Sequence, residues 1–515
     1  MSKLKRTAFD KLNTLLFGKD LRITEGEPYT QVRKFDFSSY YPESEYIYKQ
    51  DAPTQNFYDI RDFGADVKNE DNAPYINEAV KKASETKGTV FVSGGDYVST
   101  TVFMESNVTL FIEYGSSICA NKSGKGYNKL GIIHANGKEN ITFTGGGKIK
   151  GNGELFGRKP LFDENMTAHP GYIDVIQMRK DSRAQLRFAH PSKYGGPVFL
   201  LDCKNIKVKN FIIENSAYWT FKIENCDGVD VSNFIINNNR HVANADGLDI
   251  CGSSNVKAEK CFISTADDGI CIKNAIWLGN KGAIENISIN NCEVISQANS
   301  FKIGTETTYD IKNISVTNCK FYMNDLYPGT VSGIAIESAD GAKVENIFVD
   351  NITMDRVTCP VFIRLCNRNR AAVVTAESAN AVEFGAKKKK GKTVDKAVFD
   401  KKGAVRNIKI SNIKATNVEI PIIVAGYKQG VTKKYVENVR LENIETLYAP
   451  YPEIEDKRLF IPEYPKVYPE CWRFRNLPSY SIWARHVKNL KVINLKCSHP
   501  IETWKKESHF EDIVE

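Results

Sequence analysis

Two short stretches constrain the fold of this chain more than any other part of it: Asn244-Ala245-Asp246-Gly247-Leu248-Asp249-Ile250 and Ala266-Asp267-Asp268-Gly269-Ile270-Cys271-Ile272-Lys273. Each runs from an Asp-Gly turn into an alternating strand, and Asp246 precedes Asp268 by 22 residues. Self-similarity at roughly 20 to 50 residues marks a stacked repeat architecture. Stacked strands lie about 4.8 Å apart, so this spacing is expected to bring Asp246, Asp267 and Asp268 into one exposed carboxylate cluster.

The repeat extends along the chain. An Asn before an aliphatic residue recurs at Asn140, Asn205, Asn255, Asn286, Asn313, Asn346, Asn407, Asn438 and Asn489. Runs such as Ile287-Ser288-Ile289 and Ile314-Ser315-Val316 are too short to bury a face alone, so neighbouring coils must supply the core. Asn tolerates the left-handed backbone of a corner, and its amide can bond its stacked copy. These Asn therefore read as structural. The expected fold is all-β, a right-handed single-stranded parallel β-helix of roughly ten coils.

Side chains alternate faces along a strand. Aligned on that period, Leu248, Ile270, Phe301, Ile334 and Val361 form one inward rung, and Ile250, Ile272, Ile303, Ile336 and Ile363 the next. The outward positions are Asp249, Cys271, Lys302, Ala335 and Phe362, then Cys251, Lys273, Gly304, Glu337 and Arg364. Lys273, Lys302, Glu337 and Arg364 are thus expected to share one solvent face beside the Asp cluster, as ligand contacts or as a plain salt-bridge ladder.

A chain of 515 residues with 42% hydrophobic content can bury a large core. Length alone suggests several domains, but the repeat argues for one solenoid over residues 51–515, with residues 1–50 as an N-terminal extension that caps or clasps it. Helical patterns are few, one around Phe9 to Phe17 in that arm and another around Ala73 to Ala83. The segment near 371–402, with its Lys387-Lys388-Lys389-Lys390 run, reads as a solvated insertion rather than a nucleic-acid patch, and the formal charge of +8 is modest. The basic N-terminus has no apolar core behind it, and no stretch approaches about 18 apolar residues. Neither a signal peptide nor a membrane span is expected, which favours the cytoplasm. The 12 Cys include no CxxC pair. Cys226, Cys251, Cys261, Cys271, Cys292 and Cys319 fall on the strand or corner pattern, so reduced structural thiols are expected, with no metal site.

Clustered carboxylates suit glycoside hydrolysis, in which one group acts as acid and another as base or nucleophile. Three neighbouring carboxylates cannot all ionise at their ordinary pKa, so one stays protonated near neutral pH. Cation binding or turn capping is the competing reading of the same residues.

From about Tyr58 onward the chain resembles glycoside hydrolase family 28, the polygalacturonase family. Tyr58 to Ala65 is similar to the opening strand of these β-helices, Gly88 to Tyr97 to their next turn and strand, and Gly145 to Gly153 to a further coil. The most specific match pairs Asn244-x-Asp246 with Asp267-Asp268, one coil apart. The resemblance implies a pectin-lyase-like solenoid, an oligosaccharide substrate, no cofactor and an inverting mechanism. By position, Asp267 would protonate the leaving oxygen while Asp246 and Asp268 hold and deprotonate the attacking water. Departures narrow the substrate. Asn299 stands where the family has a His, and Ala335 and Glu337 stand where it has the Arg and Lys that grip a galacturonate carboxylate. A carboxylate repels that ligand, so ordinary polygalacturonase activity is not expected. Lys302 is left as a replacement clamp, with Glu337 taking sugar hydroxyls or pairing with Lys273 or Arg364. Residues 300–307, 333–341, 362–368 and 477–490, and Tyr468-Pro469-Glu470, resemble a branch associated with exo-acting hydrolysis of rhamnogalacturonan-like or related oligosaccharides.

Asn244 and His241 lie close to Asp246 in sequence and are placed at the cleft, though a turn role suits His241 equally. Tyr218 and Trp219 could stack on a sugar or pack in the core; Arg485 and His486 are candidates on a late strand. The long Tyr/Pro-rich stretch from Tyr448 to Tyr468 could wall off one end of the groove. Two other functions fit a β-helix: a lyase or epimerase acting on uronates, which needs a cation or Arg beside its base, and a non-catalytic carbohydrate-binding solenoid.

Overall fold

The computed structural model describes residues 42–53, 56–153, 195–239, 242, 244–323, 330–368, 403–449, 461–474, 477–498 and 506–515. The helix expected around Phe9 to Phe17, most of the N-terminal arm, His241, the Lys-rich segment and residues 450–460 of the Tyr/Pro-rich stretch lie outside these residues.

Each of the nine corner Asn sits in the left-handed region, at φ between 52° and 62°. Their side chains form an amide ladder, with Nδ2 of one coil donating to Oδ1 of the coil before it. The distances are 3.0 Å for Asn286 to Asn255, 3.0 Å for Asn346 to Asn313 and 2.9 Å for Asn438 to Asn407. A second ladder, not read from the sequence, runs along another corner through Asn351 to Asn318 at 2.7 Å and Asn494 to Asn443 at 2.9 Å. These corners divide each coil among three faces of parallel strands, and the chain forms the expected parallel β-helix.

The face that carries the site contains β1 (Leu248–Cys251), β2 (Ile270–Asn274), β3 (Asn299–Thr307), β4 (Thr330–Ser338), β5 (Val357–Leu365), β6 (Ile422–Ala425) and the first part of β7 (Ser479–Ser498). Both inward rungs stack in the expected register, from Leu248 opposite Ile270 to Ile336 opposite Ile363. All ten side chains are fully buried in one core that runs the length of the solenoid. At roughly 1.5–3 kcal/mol for each buried aliphatic side chain, the rungs supply the stability that no single coil has. The expected helix spans Ala73–Thr86 and buries Ala73, Ile76, Ala79, Val80 and Ala83 along one stripe. It packs on the first strands and closes that end of the core, which an open solenoid needs.

The outward column departs from expectation. Lys273, Lys302, Glu337 and Arg364 point away from the core but are at most 3% exposed, so they do not share a solvent face. Residues 461–474 cross over β4 to β7 as a strap. Ile461, Cys471 and Phe474 pack on Ala335, Phe362, Ile423 and Trp483 in a second apolar cluster outside the solenoid wall. Arg364 pins this strap. Its Nη2 donates to the Glu463 and Tyr464 carbonyls at 2.5 and 3.3 Å, its Nη1 bonds the Gly426 carbonyl, and its guanidinium lies 5.1 Å from the centre of the Phe474 ring. All 12 Cys are unbonded thiols, and 11 of them are buried. Among the described residues no helix is long and apolar enough to cross a membrane.

Candidate active site

Asp246, Asp267 and Asp268 come together at the N-terminal edge of β1 and β2. The stacked Asp-Gly turns place them there, with Gly247 N donating to the Asp268 carbonyl at 2.9 Å. One carboxylate oxygen from each lies within 4.8 Å of the others. The three are only 3–5% exposed, so they are buried rather than presented on an open surface. Asp267 Oδ1 accepts from Asp268 N at 2.9 Å, and its carbonyl accepts from Thr265 Oγ1 and Ser296 Oγ. Gly269 closes the turn, since a Cβ there would lie 2.7 Å from the Ser300 carbonyl oxygen.

Among the described residues, the cations nearest the trio are engaged. Lys273 Nζ donates to Asp246 at 2.9 Å and to Asp249 at 2.5 Å, and sits 3.7 Å above the Trp219 ring. Burial opposes its charge, but the two carboxylates outweigh burial and hold the ammonium above its ordinary range. Burial, then the Asp267 charge, pushes the Asp246 carboxyl well above the ordinary carboxylate range, against the pull of Lys273. Asp249, fully buried, is pushed up to about 6 by burial, with Lys273 opposing. Lys302 Nζ lies 3.3 Å from Asp268 Oδ2 and 3.2 Å from Glu470 Oε1. One coil before the cluster Lys222 pairs with Glu224 at 2.8 Å, and on the far side Arg368 forks onto Asp340.

Several expected contacts are therefore reassigned. Lys302 is no free clamp for a ligand carboxylate, because two protein carboxylates already hold it and it is 1% exposed. Asn299 is fully buried and serves Asp268 instead: its Nδ2 and backbone N donate to Asp268 Oδ1 at 2.8 and 3.2 Å. Arg364 belongs to the strap. Glu337 is opposite Arg364 in register, yet neither of its carboxylate oxygens accepts a hydrogen bond from a described residue. Burial raises its carboxyl well above the ordinary range, against the pull of Lys302. Asn244 adopts φ 57°, a turn conformation beside the cluster. Trp219 packs under Lys273 with Tyr218 stacked on it at 5.4 Å, and His486 joins Glu463 and Asp512 away from the trio. Asp249, Glu470 and the Arg368–Asp340 pair are site neighbours that sequence reasoning missed. Asp249 was legible as the outward residue between two rungs; Glu470, Asp340 and Arg368 fall in stretches that resemble the family branch, but nothing in those stretches assigned them to the site.

Carboxylates gathered on one face of a parallel β-helix have the composition that cleavage of a glycosidic bond requires. The profile of Glycosyl hydrolases family 28 matches residues 83–386. The chain belongs to that family and is a glycosidase. It is 23% identical over 405 residues to the polygalacturonase QRT2 of Arabidopsis thaliana, covering 75% of this chain and 82% of that protein. It is 25% identical over 306 residues to an endo-polygalacturonase of Pectobacterium carotovorum subsp. carotovorum, covering 56% of this chain and 70% of that one. The fold is shared with the family 28 exopolygalacturonase of Yersinia enterocolitica, with a TM-score of 0.56 at 17% identity over 90% of this chain and 78% of the other. It is shared too with the hyperthermoactive exopolygalacturonase of Thermotoga maritima, with a TM-score of 0.55 at 19% identity over 79% and 91%.

Proposed function

We propose that the protein is an exo-acting, inverting glycosidase of pectic or related oligosaccharides, with Asp267 as general acid and Asp246 and Asp268 placing and deprotonating the water. The observation that carries this reading is the approach of the three buried carboxylates to within 4.8 Å. A water that bonds two carboxylate oxygens at about 2.7 Å each bridges a gap of this size. On spacing alone, so short a separation stands at the retaining end of the scale; inversion rests on the family resemblance. The raised Asp246 carboxyl does not reassign the acid, since three carboxyls this close share their protons as a set. Position relative to the leaving oxygen decides the role.

Exo action is supported by the strap, which fills the outward face over β4 to β7 directly beyond Lys302. A chain end fits a site covered on one side, whereas a long polymer needs a groove open at both ends. A substrate other than unbranched polygalacturonan is supported by the pairing of Lys222, Lys273, Lys302 and Arg368, none of which offers an unengaged charge to a uronate. The test is digestion of pectic oligosaccharides labelled at the reducing end, rhamnogalacturonan fragments included, with early products resolved by size and proton NMR of the first anomer released. Single sugars from one end, released with inverted configuration, are expected. A random ladder of sizes removes the exo assignment, and a retained anomer removes the water-activating roles.

A further inference from the structure

The reacting carboxylates have an attachment outside the solenoid. Lys302 rises from β3, and its ammonium, which has three N–H donors, lies within 3.4 Å of three groups: Asp268 Oδ2, Glu470 Oε1 and the Tyr468 hydroxyl. Glu470 is 168 residues from Lys302 in sequence and is 6% exposed. It is held on both sides, because Arg364 pins residues 463 and 464 and the Cys471 thiol donates to the Val331 carbonyl at 3.2 Å. The other oxygen of Asp268 is fixed by Asn299. The strap thus ends on the counter-ion of one of the three aspartates.

We propose that Glu470 is a positioning residue for the reaction: carried in by the strap, it fixes the Lys302 ammonium beside Asp268 and withholds part of that charge from it. The inference deepens the reading of Asp268 as a water-activating carboxylate and rests on it. A carboxylate with an ammonium to itself stays ionised to lower pH and is a weaker base. One that shares the ammonium with a second carboxylate keeps more proton affinity. Asp268 is faced by Asp267 and Cys271 from its own coil, Asp246 and Asp249 from the coil before, Lys302 and Glu337 from the coils after, and Tyr468 and Glu470 from the strap. Of these, Glu470 acts on Asp268 both by its own charge and through Lys302, and both effects have the same sign.

The experiment needs no substrate. In full-length protein labelled with carbon-13 at the aspartate carboxyls, the Asp268 signal is assigned by its loss in Asp268→Asn and titrated. Glu470→Gln, which keeps shape and removes charge, is expected to lower the Asp268 midpoint by roughly one pH unit. Lys302→Met is expected to raise it. An unmoved midpoint, or the same direction in both variants, overturns the proposal. On the oligosaccharides cleaved by the wild type, the acidic limb of kcat/KM should follow the titration in Glu470→Gln. There kcat should fall by roughly threefold to tenfold at little changed KM, and Glu470→Asp should restore part of it. Failure of the underlying reading shows separately, as an Asp268→Asn protein that keeps its activity.

Discussion

Replacing Lys273 by Met tests the electrostatics of the site most directly. The thioether retains most of the buried stem, so little cavity opens and the loss is mainly one of charge. At 2.9 and 2.5 Å from its two carboxylates, the ammonium contributes a gross attraction of roughly 6–7 kcal/mol per pair at an effective dielectric of 20. Its own burial offsets much of this. Removing one partner of a buried ionic group costs roughly 3–5 kcal/mol, because the remaining charges are left uncompensated. That cost depends on pH, and its sign follows from the two kinds of group. Lys273 has a raised folded pKa and is fully charged below its unfolded value near 10.5, so its own titration adds no slope between pH 5 and 8, and what its charge is worth there follows the ionisation of its two partners. Asp246 and Asp249 are already raised with Lys273 present, and without it they rise further. A carboxyl whose folded pKa exceeds its unfolded one binds its proton more tightly when folded, so stability falls as pH climbs through that window. The variant should therefore lie within about 1 kcal/mol of wild type at pH 5, below the Asp249 value of about 6, and lose the full roughly 3–5 kcal/mol by pH 8. Urea unfolding followed by far-ultraviolet circular dichroism at pH 5, 6.5 and 8 measures this. A destabilisation that is the same at all three pH values refutes the reasoning.

Asp267→Asn should lower kcat by roughly 10² to 10⁴ with unchanged circular dichroism, and Asp246→Asn and Asp268→Asn should be similarly crippling; near-native turnover in any of the three breaks its role. Lys302→Ala should depress kcat more than it raises KM, by at least roughly tenfold in kcat/KM, because it neighbours Asp268 rather than reaching for a ligand; steady-state kinetics on a cleaved oligosaccharide separates the two. Arg364→Ala leaves two strap carbonyls, those of Glu463 and Tyr464, and the Gly426 carbonyl without their donor and should cost roughly 2–4 kcal/mol. It should also let longer fragments appear among the early products, a change that sizing of labelled oligosaccharides detects.

The rungs from Leu248 to Ile363 were legible because a one-residue slip would turn every aliphatic side chain outward, so the alternation admits a single register. The corner Asn were legible because few residue types tolerate a left-handed backbone. The gathering of Asp246 with Asp267 and Asp268 followed from the same stacking. What the alternation could not reveal was the cover on the other face. Ala335 and Phe362 read only as outward, and their burial depends on Ile461, Cys471 and Phe474, 99 to 139 residues downstream, in a stretch with no strand period. Lys302 read as an available cation for the same reason, since nothing near residue 302 announces Glu470. The carboxylate trio is also less exposed than expected, because the turns that present it are walled by neighbouring coils.

The amide ladder has a consequence for how this enzyme can change. Successive rungs of the main ladder are separated by 31, 27, 33, 61, 31 and 51 residues from Asn255 to Asn489, yet every amide contact lies between 2.9 and 3.4 Å. Each corner re-indexes the chain, so extra length gained in one turn is not handed on to the next. The strap is such a gain: it lies within the 51-residue interval between Asn438 and Asn489, and it brings Glu470 to the trio without shifting a single rung beneath it. A catalytic groove on such a scaffold can be lengthened, closed or recharged one coil at a time, while the spine keeps its count.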